Sequence, residues 1–557
     1  MKILFVMLHA GYVRNYDGVL RRLAADGHQI HIAVENARNK MGENALADRL
    51  VADFHNVTWG AASALGDDTL SGGARLLRLF VDYLRYLEPR YAAATALRAR
   101  ALLAVPNQFA RLMAFFCRCG PFAARVACRV CVTLDRCIPP SSHVSAYLQD
   151  MSPDVVLVTP LVDFGCNQVD YLKAAALKRI PSAVCVASWD NLTSKGGMRF
   201  VPDRVFVWNA AQRREAIELH DVPAERVVVT GAQIFDEWFD WRPHRTREEW
   251  CAHIGLDPGR PYILYLGSSF FIASKEADFA LRWIAALRDG NDTDVAAAGI
   301  VIRPHPSNAQ QWQGHDLSAQ NNLAIWPAPG TDMFAPAFKY DFFDSMYHAA
   351  VVVGVNTSAL IEAAIVGRPV CTVRAPDFEH SQDGTLHFRH LASAEGGLLH
   401  IADSLDEHVR ELGRILRGEG SYHERGRRFV ETFVRPFGLG EPATPRLASH
   451  VLELGSSRST VARPPTRGVR VIVARIVASI LVWWLDHRPI WTYPLRPLFW
   501  VFVQLWALRY RSRIIERVDW RGRWRHVRRW LRRSLRKSPR PDIPGWSRDV
   551  PKAGKRM

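Results

Sequence analysis

Residues 353–370 constrain the fold of this chain more than any other segment. They read Val-Gly-Val-Asn-Thr-Ser-Ala-Leu-Ile-Glu-Ala-Ala-Ile-Val-Gly-Arg-Pro-Val, an order that predicts the end of a strand, a polar turn, a helix and the start of the next strand. Asn356, Thr357 and Ser358 are residue types that cap helices, because their side-chain oxygens accept hydrogen bonds from the first free N–H groups. Gly367 is a typical helix terminator. The segment predicts an α/β unit whose helix start is either an ordinary cap or a phosphate site.

A second motif favours the phosphate site. Residues 300–302 form a β-branched run that leads directly into Arg303 and His305, each of which is followed by proline. The prolines end the predicted strand and hold both side chains at its carboxyl end. In open parallel sheets that edge is where ligands bind. The motif therefore predicts an anion site next to the helix start.

A third predicted strand, residues 262–266, ends in Gly267, Ser268 and Ser269. Small and hydroxyl-bearing residues at a strand end allow a phosphate group to approach the backbone closely. Three strand ends with phosphate-binding residue types indicate one domain of a nucleotide-using enzyme.

The Asn-Thr-Ser…Glu…Gly-Arg-Pro-Val segment and the Arg-Pro-His-Pro turn resemble the nucleotide-binding half of GT-B glycosyltransferases. They are also similar to two relatives that share this fold, the CDP-glycerol glycerophosphotransferases and UDP-N-acetylglucosamine 2-epimerase. The resemblance implies that Glu362 holds the ribose hydroxyls of a nucleotide. In a glycerophosphotransferase it implies a chemical role for His305.

The start of the chain is similar to the first βαβ unit of GT-B enzymes, in which the loop after the first strand meets the acceptor. Residues 2–8 are a hydrophobic strand, and Gly11, Tyr12 and Arg14 lie in the loop that follows. The resemblance implies that these three residues contact the acceptor. Many members carry Gly-His in this loop, whereas the pair here is Gly11-Tyr12. His9 is a candidate general base.

Two further loops of the first domain follow predicted strands and carry polar groups. Asp163 follows the strand 155–158, and Trp189, Asp190 and Asn191 follow the next one. Trp189 and Asn191 suit sugar binding, by ring stacking and by hydrogen bonds to hydroxyls. The alternative is a loop whose Asp and Asn side chains bond to their own backbone.

Length and patterning predict three parts. A chain of 557 residues has room for two or three domains. Residues 1–240 are predicted to form a Rossmann-like acceptor domain with a helical insertion at about 70–135, and residues 241–455 a Rossmann-like nucleotide-donor domain. Together they are an α/β, GT-B architecture with two domains facing a cleft. Residues 456–557 are predicted to be a linker followed by a helical, basic extension.

Charge is concentrated in that extension. The formal net charge is +17, and residues 509–557 contain 18 Lys and Arg against 4 Asp and Glu. Two aromatic and apolar stretches, 469–485 and 490–508, precede the basic segment and carry arginines, a composition typical of a membrane interface. We expect residues 469–557 to attach a cytoplasmic protein to the inner face of the cytoplasmic membrane, with no nucleic acid partner. The alternative is a helical subdomain packed on the body, with a solvated basic tail.

The sequence does not predict a metal site. Cys128 and Cys131 have the spacing of half a zinc site, but they lie in a helical pattern, and buried thiols are the favoured interpretation. Asp292 and Asp294 imitate the metal-binding Asp-x-Asp of other glycosyltransferases. They precede a predicted strand and so lie at the wrong end of the sheet.

These observations predict metal-independent transfer of a sugar from a nucleotide-sugar donor, with no cofactor beyond this co-substrate. The acceptor is expected to be a cell-envelope glycan or a lipid-linked molecule. Two alternatives are a CDP-glycerol or ribitol-type phosphotransferase of envelope polymer synthesis and a non-catalytic nucleotide- or glycan-binding relative. The donor site is predicted at Gly267, Ser268, Ser269, Arg303, His305, Asn356, Thr357, Ser358 and Glu362, and the base among His9, Asp163, Asp190 and His305.

Overall fold

The computed structural model describes residues 1–36, 43–63, 69–92, 94–315, 317, 320–327, 336–393 and 396–486. Strands in these residues form two sheets in which every neighbouring pair is parallel. Parallel sheets need crossover helices on both faces, which explains why the central strands are apolar throughout.

The first sheet has seven strands in the order β3-β2-β1-β4-β5-β6-β7. Their bounds are β1 (Lys2–His9), β2 (Gln29–Asn36), β3 (Val57–Ala61), β4 (Val155–Thr159), β5 (Ser182–Cys185), β6 (Arg204–Val207) and β7 (Val227–Val229). The second sheet has six strands in the order β10-β9-β8-β11-β12-β13. Their bounds are β8 (Tyr262–Leu266), β9 (Gly299–Arg303), β10 (Leu323–Ile325), β11 (Val351–Gly354), β12 (Val370–Val373) and β13 (His400–Ala402).

Helices occupy both faces of each sheet. They are α1 (Val13–Ala25), α2 (Asn44–Asp53), α3 (Thr69–Arg85), α4 (Thr95–Ala104), α5 (Asn107–Cys119), α6 (Pro121–Cys137), α7 (Ser142–Met151), α8 (Gln168–Lys178), α9 (Asn191–Ser194), α10 (Ala210–His220), α11 (Asp236–Asp240), α12 (Arg247–Ile254), α13 (Glu276–Asp289), α14 (Thr293–Ala297), α15 (Pro336–Tyr347), α16 (Ala359–Ile365), α17 (Phe388–Ser393), α18 (Leu405–Leu416), α19 (Tyr422–Phe429), α20 (Ala443–Gly455) and α21 (Val469–Asp486). Helices α3 to α6 lie between β3 and β4, in the region expected to hold a helical insertion.

The strand order of each sheet reverses at one point, between β1 and β4 in the first sheet and between β8 and β11 in the second. Crossovers on the two sides of such a point run to opposite faces and leave a crevice at the carboxyl ends of the strands. The predicted site residues follow these four strands and their neighbours β5 and β9. The topology therefore brings them to the two crevices. The predicted α/β class with two Rossmann-like sheets is confirmed.

The two sheets belong to one compact unit, residues 1–486. After the second sheet the chain returns to the first. Leu447 and Val451 of α20 pack into the core that surrounds β1 and α1. The predicted second domain, 241–455, therefore contributes its last helix to the first sheet.

Helix α21 lies against α3 and α6, where Ala474 and Ala478 are buried. The approach is close, since a Cβ atom on Gly73 would lie 2.4 Å from the Cβ of Ala478. The first of the two predicted interfacial stretches thus packs one face on the body. The second stretch and the basic segment lie outside the described residues. None of the helices in the described ranges is both long and apolar enough to cross a bilayer.

Candidate active site

A cavity of about 640 Å³ lies between the carboxyl edges of the two sheets. The first sheet and its helices contribute Arg14 and Trp189 to the lining, and the second contributes Gly267, Arg303 and Thr357, among others. Of the site residues predicted in the first domain, Arg14 and Trp189 line this cavity. The others are not among its lining residues: His9, Gly11, Tyr12, Asp163, Asp190 and Asn191.

Arg303, the last residue of β9, is the most unusual group in this cavity. Its side chain is almost fully buried, and Nη1 and Nη2 donate no hydrogen bond to any residue in the described part of the chain. The guanidinium carbon lies 4.5 Å from the ring centroid of Phe342 and 4.8 Å from that of Phe338. Burial lowers the pKa of Arg303 to about 9, against the opposing effect of Asp341 and Glu362. A cation that is buried without hydrogen-bond partners is costly, so the site is suited to an anion.

Glu362, on α16, lines the same cavity. Burial raises the pKa of Glu362 to about 7, although Arg14 and Arg303 oppose this shift. Arg14 belongs to α1 of the first sheet, so its charge acts across the cleft on a residue of the second. The sequence predicts that Arg14 contacts the acceptor. In the structure Arg14 lines the same cavity as the predicted donor-site residues Arg303 and Glu362.

His305 lines the cavity two residues beyond Arg303. Its Nδ1 accepts a hydrogen bond from the backbone N–H of Ser307 at 3.1 Å. Burial lowers the pKa of His305 to about 4, and Arg14 adds to this effect. The tight turn requires glycine at 267, because a Cβ atom there would lie 2.8 Å from the backbone nitrogen of His305.

The turn before α16 differs from the prediction. The helix begins at Ala359, and Ser358 has helical backbone angles with no side-chain capping bond. Asn356 is buried, and its amide donates to the carbonyl of Ser381 at 2.6 Å. The predicted side-chain cap is therefore wrong, because Asn356 holds a neighbouring loop instead. Thr357 and Ser358 do line the cavity.

Ser268 and Ser269 are not among the residues that line the cavity. The backbone N–H of Ser268 donates to Glu276 Oε2 at 2.7 Å, and its side chain is fully buried. Ser269 accepts the N–H of Ile272 at its carbonyl, which forms a turn. Gly267 is the residue of this predicted trio that lines the cavity.

A second polar cluster follows β1. The Nδ1 atom of His9 lies 3.2 Å from Oε2 of Glu43, and the His9 and Tyr12 ring centroids are 4.5 Å apart. Burial lowers the pKa of His9, while Glu43 raises it and Lys195 lowers it further. Gly11 allows this pairing, since a Cβ atom there would lie 2.8 Å from the Glu43 carboxylate. Sequence reasoning missed Glu43, which has no motif around it.

The two remaining predicted loops also end at this edge. Asp163 lies 3.9 Å from Lys195 Nζ. Asp190 accepts from the Ser188 hydroxyl at 2.6 Å. Burial acts to raise the pKa of Asp190, but His387 and the Ser188 hydrogen bond outweigh it and the pKa is lowered.

Asn191 and Trp189 are both buried in their loop. Oδ1 of Asn191 accepts the backbone N–H groups of Ala187 and Ser188, each at 3.1 Å. This is the self-bonded alternative that the sequence left open, and it explains Asn191 without a ligand. The Trp189 ring lies 5.2 Å from His387 and lines the cavity.

Asp82, on α3 of the insertion, supports these loops. Its carboxylate accepts the backbone N–H groups of Gly165 and Gly197, each at 2.9 Å, and forms an ion pair with Arg199. The insertion therefore holds the loops that carry Asp163 and Lys195. The sequence feature that could have pointed to Asp82 is a single carboxylate within the mostly apolar run Leu-Arg-Leu-Phe-Val-Asp.

The described ranges contain no group of three or more His, Cys, Asp and Glu side chains that could hold a metal ion. Asp292 caps α14 ahead of β9 and lies 2.9 Å from Arg417, at the end of the sheet away from the cavity. Burial raises the pKa of Cys128 to about 11 and that of Cys131 to about 12, which keeps both thiols protonated.

No protein-family model and no curated protein matches the chain. Among solved structures, it is similar to UDP-GlcNAc 2-epimerase from Neisseria meningitidis bound to UDP-GlcNAc, with 13% identity, a TM-score of 0.44, and coverage of 81% of this chain and 100% of the other. The epimerase from Methanocaldococcus jannaschii in complex with UDP-GlcNAc and UDP matches with 12% identity, a TM-score of 0.45 and coverage of 81% and 100%. A glycosyltransferase from Rickettsia africae matches with 10% identity, a TM-score of 0.46 and coverage of 82% and 99%.

Likeness at these identities and TM-scores carries no information on substrate or reaction. The epimerases and the glycosyltransferase are among the protein classes that the sequence motifs resemble. The fold assignment rests on the strand orders, which give two parallel, Rossmann-like sheets whose carboxyl edges face one cavity, as in a GT-B architecture.

Proposed function

We propose that this chain is a GT-B glycosyltransferase that moves a sugar from a nucleotide-sugar donor to an acceptor hydroxyl. The observation that carries the proposal is Arg303, a buried cation whose two Nη atoms have no partner among the described residues and which lines the cavity between the sheets. A diphosphate would supply both the negative charge and the acceptor atoms that this group lacks.

The surrounding residues support a nucleoside diphosphate in particular. Thr357 and Ser358 present hydroxyl groups to the cavity, and Glu362 presents a carboxylate that can accept from ribose hydroxyls. Arg14 adds a cation from the first sheet, so both halves of the protein would contact the donor. Charge that develops on the leaving diphosphate would be stabilised by groups already in place.

The reaction requires a base. The acceptor oxygen would attack the anomeric carbon while the bond between that carbon and the diphosphate oxygen breaks, and the acceptor proton would pass to the enzyme. We propose His9 as the base, because its lowered pKa keeps the imidazole neutral near pH 7 and its Nδ1 lies 3.2 Å from Oε2 of Glu43.

A panel of UDP-, GDP- and CDP-linked donors tests the proposal, with thermal shift reporting binding and donor hydrolysis reporting chemistry. Binding and turnover of one nucleotide-sugar class are the expected results. Turnover of CDP-glycerol or CDP-ribitol alone would identify a phosphotransferase instead. Binding without turnover of any donor, with a range of glycan acceptors present, would identify a non-catalytic protein.

We expect turnover to survive chelation of divalent ions. Arg303 and Arg14 already place positive charge beside the proposed diphosphate position, so a metal is not needed to neutralise it. Activity measured in EDTA should stay within about twofold of activity in magnesium. Loss of activity in EDTA and recovery with manganese or magnesium would contradict this mechanism.

Nucleotide binding should weaken as the pH falls through about 7. The ionised form of Glu362 is the stronger acceptor for ribose hydroxyls, and its pKa of about 7 means that this form is lost on acidification. Because charge-assisted hydrogen bonds are roughly twice as strong as neutral ones, affinity for the nucleoside diphosphate should fall about fivefold from pH 8 to pH 6. Calorimetry on Glu362→Gln should show a flatter pH dependence, and an unchanged slope in that variant would rule out Glu362 as the titrating group.

We also propose that residues 487–557 attach the protein to an anionic membrane, where a lipid-linked acceptor would be found. This segment includes the 49 residues that carry 18 Lys and Arg against 4 Asp and Glu, and each basic residue near an anionic leaflet contributes up to about 1 kcal/mol. The aromatic stretch 490–508 adds contacts that salt does not screen. High salt should therefore release the full-length protein from anionic vesicles only in part, whereas complete release would indicate a purely electrostatic tail.

A further inference from the structure

Helix α21 has two apolar faces, and only one of them is covered. Val471, Ala474 and Ala478 pack on the body. The opposite face exposes large side chains that recur at helical spacing and are between 44% and 76% accessible: Val469, Ile472, Val473, Ile476, Ile480 and Trp483. Exposed apolar side chains in one continuous row mark an interaction surface.

The neighbouring insertion continues this surface. Helices α5 and α6 expose Phe115, Phe122 and Val130. Helix α21 contacts α6, α6 contacts α5, and the side chain of Gln108 on α5 donates to the carbonyl of Leu485 at the end of α21. The three helices therefore pack together and on α3, and we call their exposed side the α5–α6–α21 face.

Arginines accompany the apolar residues on this face. Residues 95–137 contain seven arginines and one acidic residue, Asp135, and Asp135 is buried against Arg78. Arg125, Arg129 and Arg136 line a groove of about 730 Å³ along α6. Arg129 and Arg136 form no ion pair with any described residue. Glu88 and Asp221 also line the groove, and Arg125 lies 3.9 Å from Glu88. The unpaired positive charge of the groove therefore comes from Arg129 and Arg136, beside exposed apolar side chains.

We propose that the α5–α6–α21 face docks on an anionic lipid bilayer, with the groove arginines on lipid phosphates and the exposed apolar side chains at the interface. Two observations select this occupant. Arginines alternate with large apolar side chains, and a headgroup region next to acyl chains can satisfy both. In addition, α21 ends at Asp486, and the chain continues from there for 71 residues that include the basic segment 509–557. The surface is separate from the proposed donor site and does not depend on its chemistry.

Flotation of the full-length protein with vesicles tests the proposal, using phosphatidylcholine with or without phosphatidylglycerol. One variant, R125Q/R129Q/R136Q, removes groove charge, and a second, I472S/I476S/I480S, removes the apolar row. A matched control, R410Q/R414Q/R427Q, removes three arginines from α18 and α19 of the second sheet. We expect each test variant to lower the vesicle partition coefficient at least about tenfold relative to the control, because charge and apolar burial both contribute to interfacial binding.

Other outcomes would overturn the proposal. Vesicle binding equal to that of the control in both test variants would mean that the basic extension alone binds lipid. If I472S/I476S/I480S lowers the thermal unfolding midpoint without changing vesicle binding, residues of the extension cover the face. If it abolishes a concentration-dependent dimer instead, a second copy covers it. Affinity for UDP, GDP and CDP, measured on the same variants, should stay unchanged, which separates this result from the donor-site proposal.

Discussion

Replacing Arg303 by alanine should weaken the binding of nucleoside diphosphates by one to two orders of magnitude. The side chain is buried in the cavity, and its Nη atoms have no partner among the described residues. A diphosphate bound there would gain charge-assisted hydrogen bonds worth about 1.5–3 kcal/mol. Calorimetric titration of the variant with the best nucleotide from the donor panel measures the loss directly.

Two further variants make this test specific. Arg303→Lys keeps the charge but not the planar fork, and we expect an intermediate affinity. Arg282→Ala removes an exposed arginine of α13 that pairs with Asp377, and its nucleotide affinity should match that of the unchanged protein. Because Arg303 packs on Phe338 and Phe342, circular dichroism must show that the alanine variant is folded. A folded variant with full affinity would remove Arg303 from the donor site.

Replacing His9 by alanine should lower kcat by about 10²- to 10⁴-fold, the usual contribution of a positioned general base. Donor affinity should change little, because His9 is the last residue of β1 in the first sheet, while the proposed diphosphate site lies on the second. The rate should be constant above neutral pH and fall at acidic pH, since protonation of His9 removes the base. Burial lowers the pKa of His9, so this decline should begin below its ordinary value of about 6.5.

A substitution at Glu43 tests whether this carboxylate positions the His9 imidazole. Its carboxylate raises the pKa of His9, so Glu43→Gln should move the acidic decline to still lower pH while retaining part of kcat. His450 and Glu453 on α20 form a pair of the same separation, 3.2 Å, and His450→Ala should leave the profile unchanged. If His9→Ala retains full kcat, then Asp163, Asp190 and His305 become the candidates, and the same pH analysis on Asp163→Asn, Asp190→Asn and His305→Gln would discriminate among them.

Strands and their ends were predictable from the sequence because their signals are local. Buried strands of a parallel sheet are continuous β-branched runs, and β8 coincides with the predicted strand at 262–266. The prolines after Arg303 and His305 marked the end of β9 with similar accuracy. The carboxyl ends of parallel strands share one edge of the sheet. Locating the strand ends was therefore enough to predict that Arg303, His305, Thr357 and Glu362 lie close together.

The hydrogen-bond partner of each polar side chain was less predictable from the sequence. Asn356, Asn191 and Ser268 are residue types that suit ligands. The Asn356 amide N–H donates to Ser381, Oδ1 of Asn191 accepts from Ala187, and the backbone N–H of Ser268 donates to Glu276. Oδ1 of Asn356 has no hydrogen-bond partner among the described residues. The type of a residue shows which hydrogen bonds its side chain is able to form. It does not show which partner will be nearest once the chain has folded. Buried polar groups take the nearest partner available because leaving one unsatisfied is costly.

The two parallel sheets, the helical insertion and the strand ends that carry the site could be predicted from local sequence signals, because periodicity and turn chemistry act over a few residues. Tertiary packing sets which distant residues meet: it brings Glu43 to His9, Arg14 across the cleft to Glu362, and Asp82 to the loops of Gly165 and Gly197. It also decided that α21 packs one face on the insertion. These contacts join residues at least 34 positions apart in the chain, and such pairs meet only when the packing of whole elements brings them together.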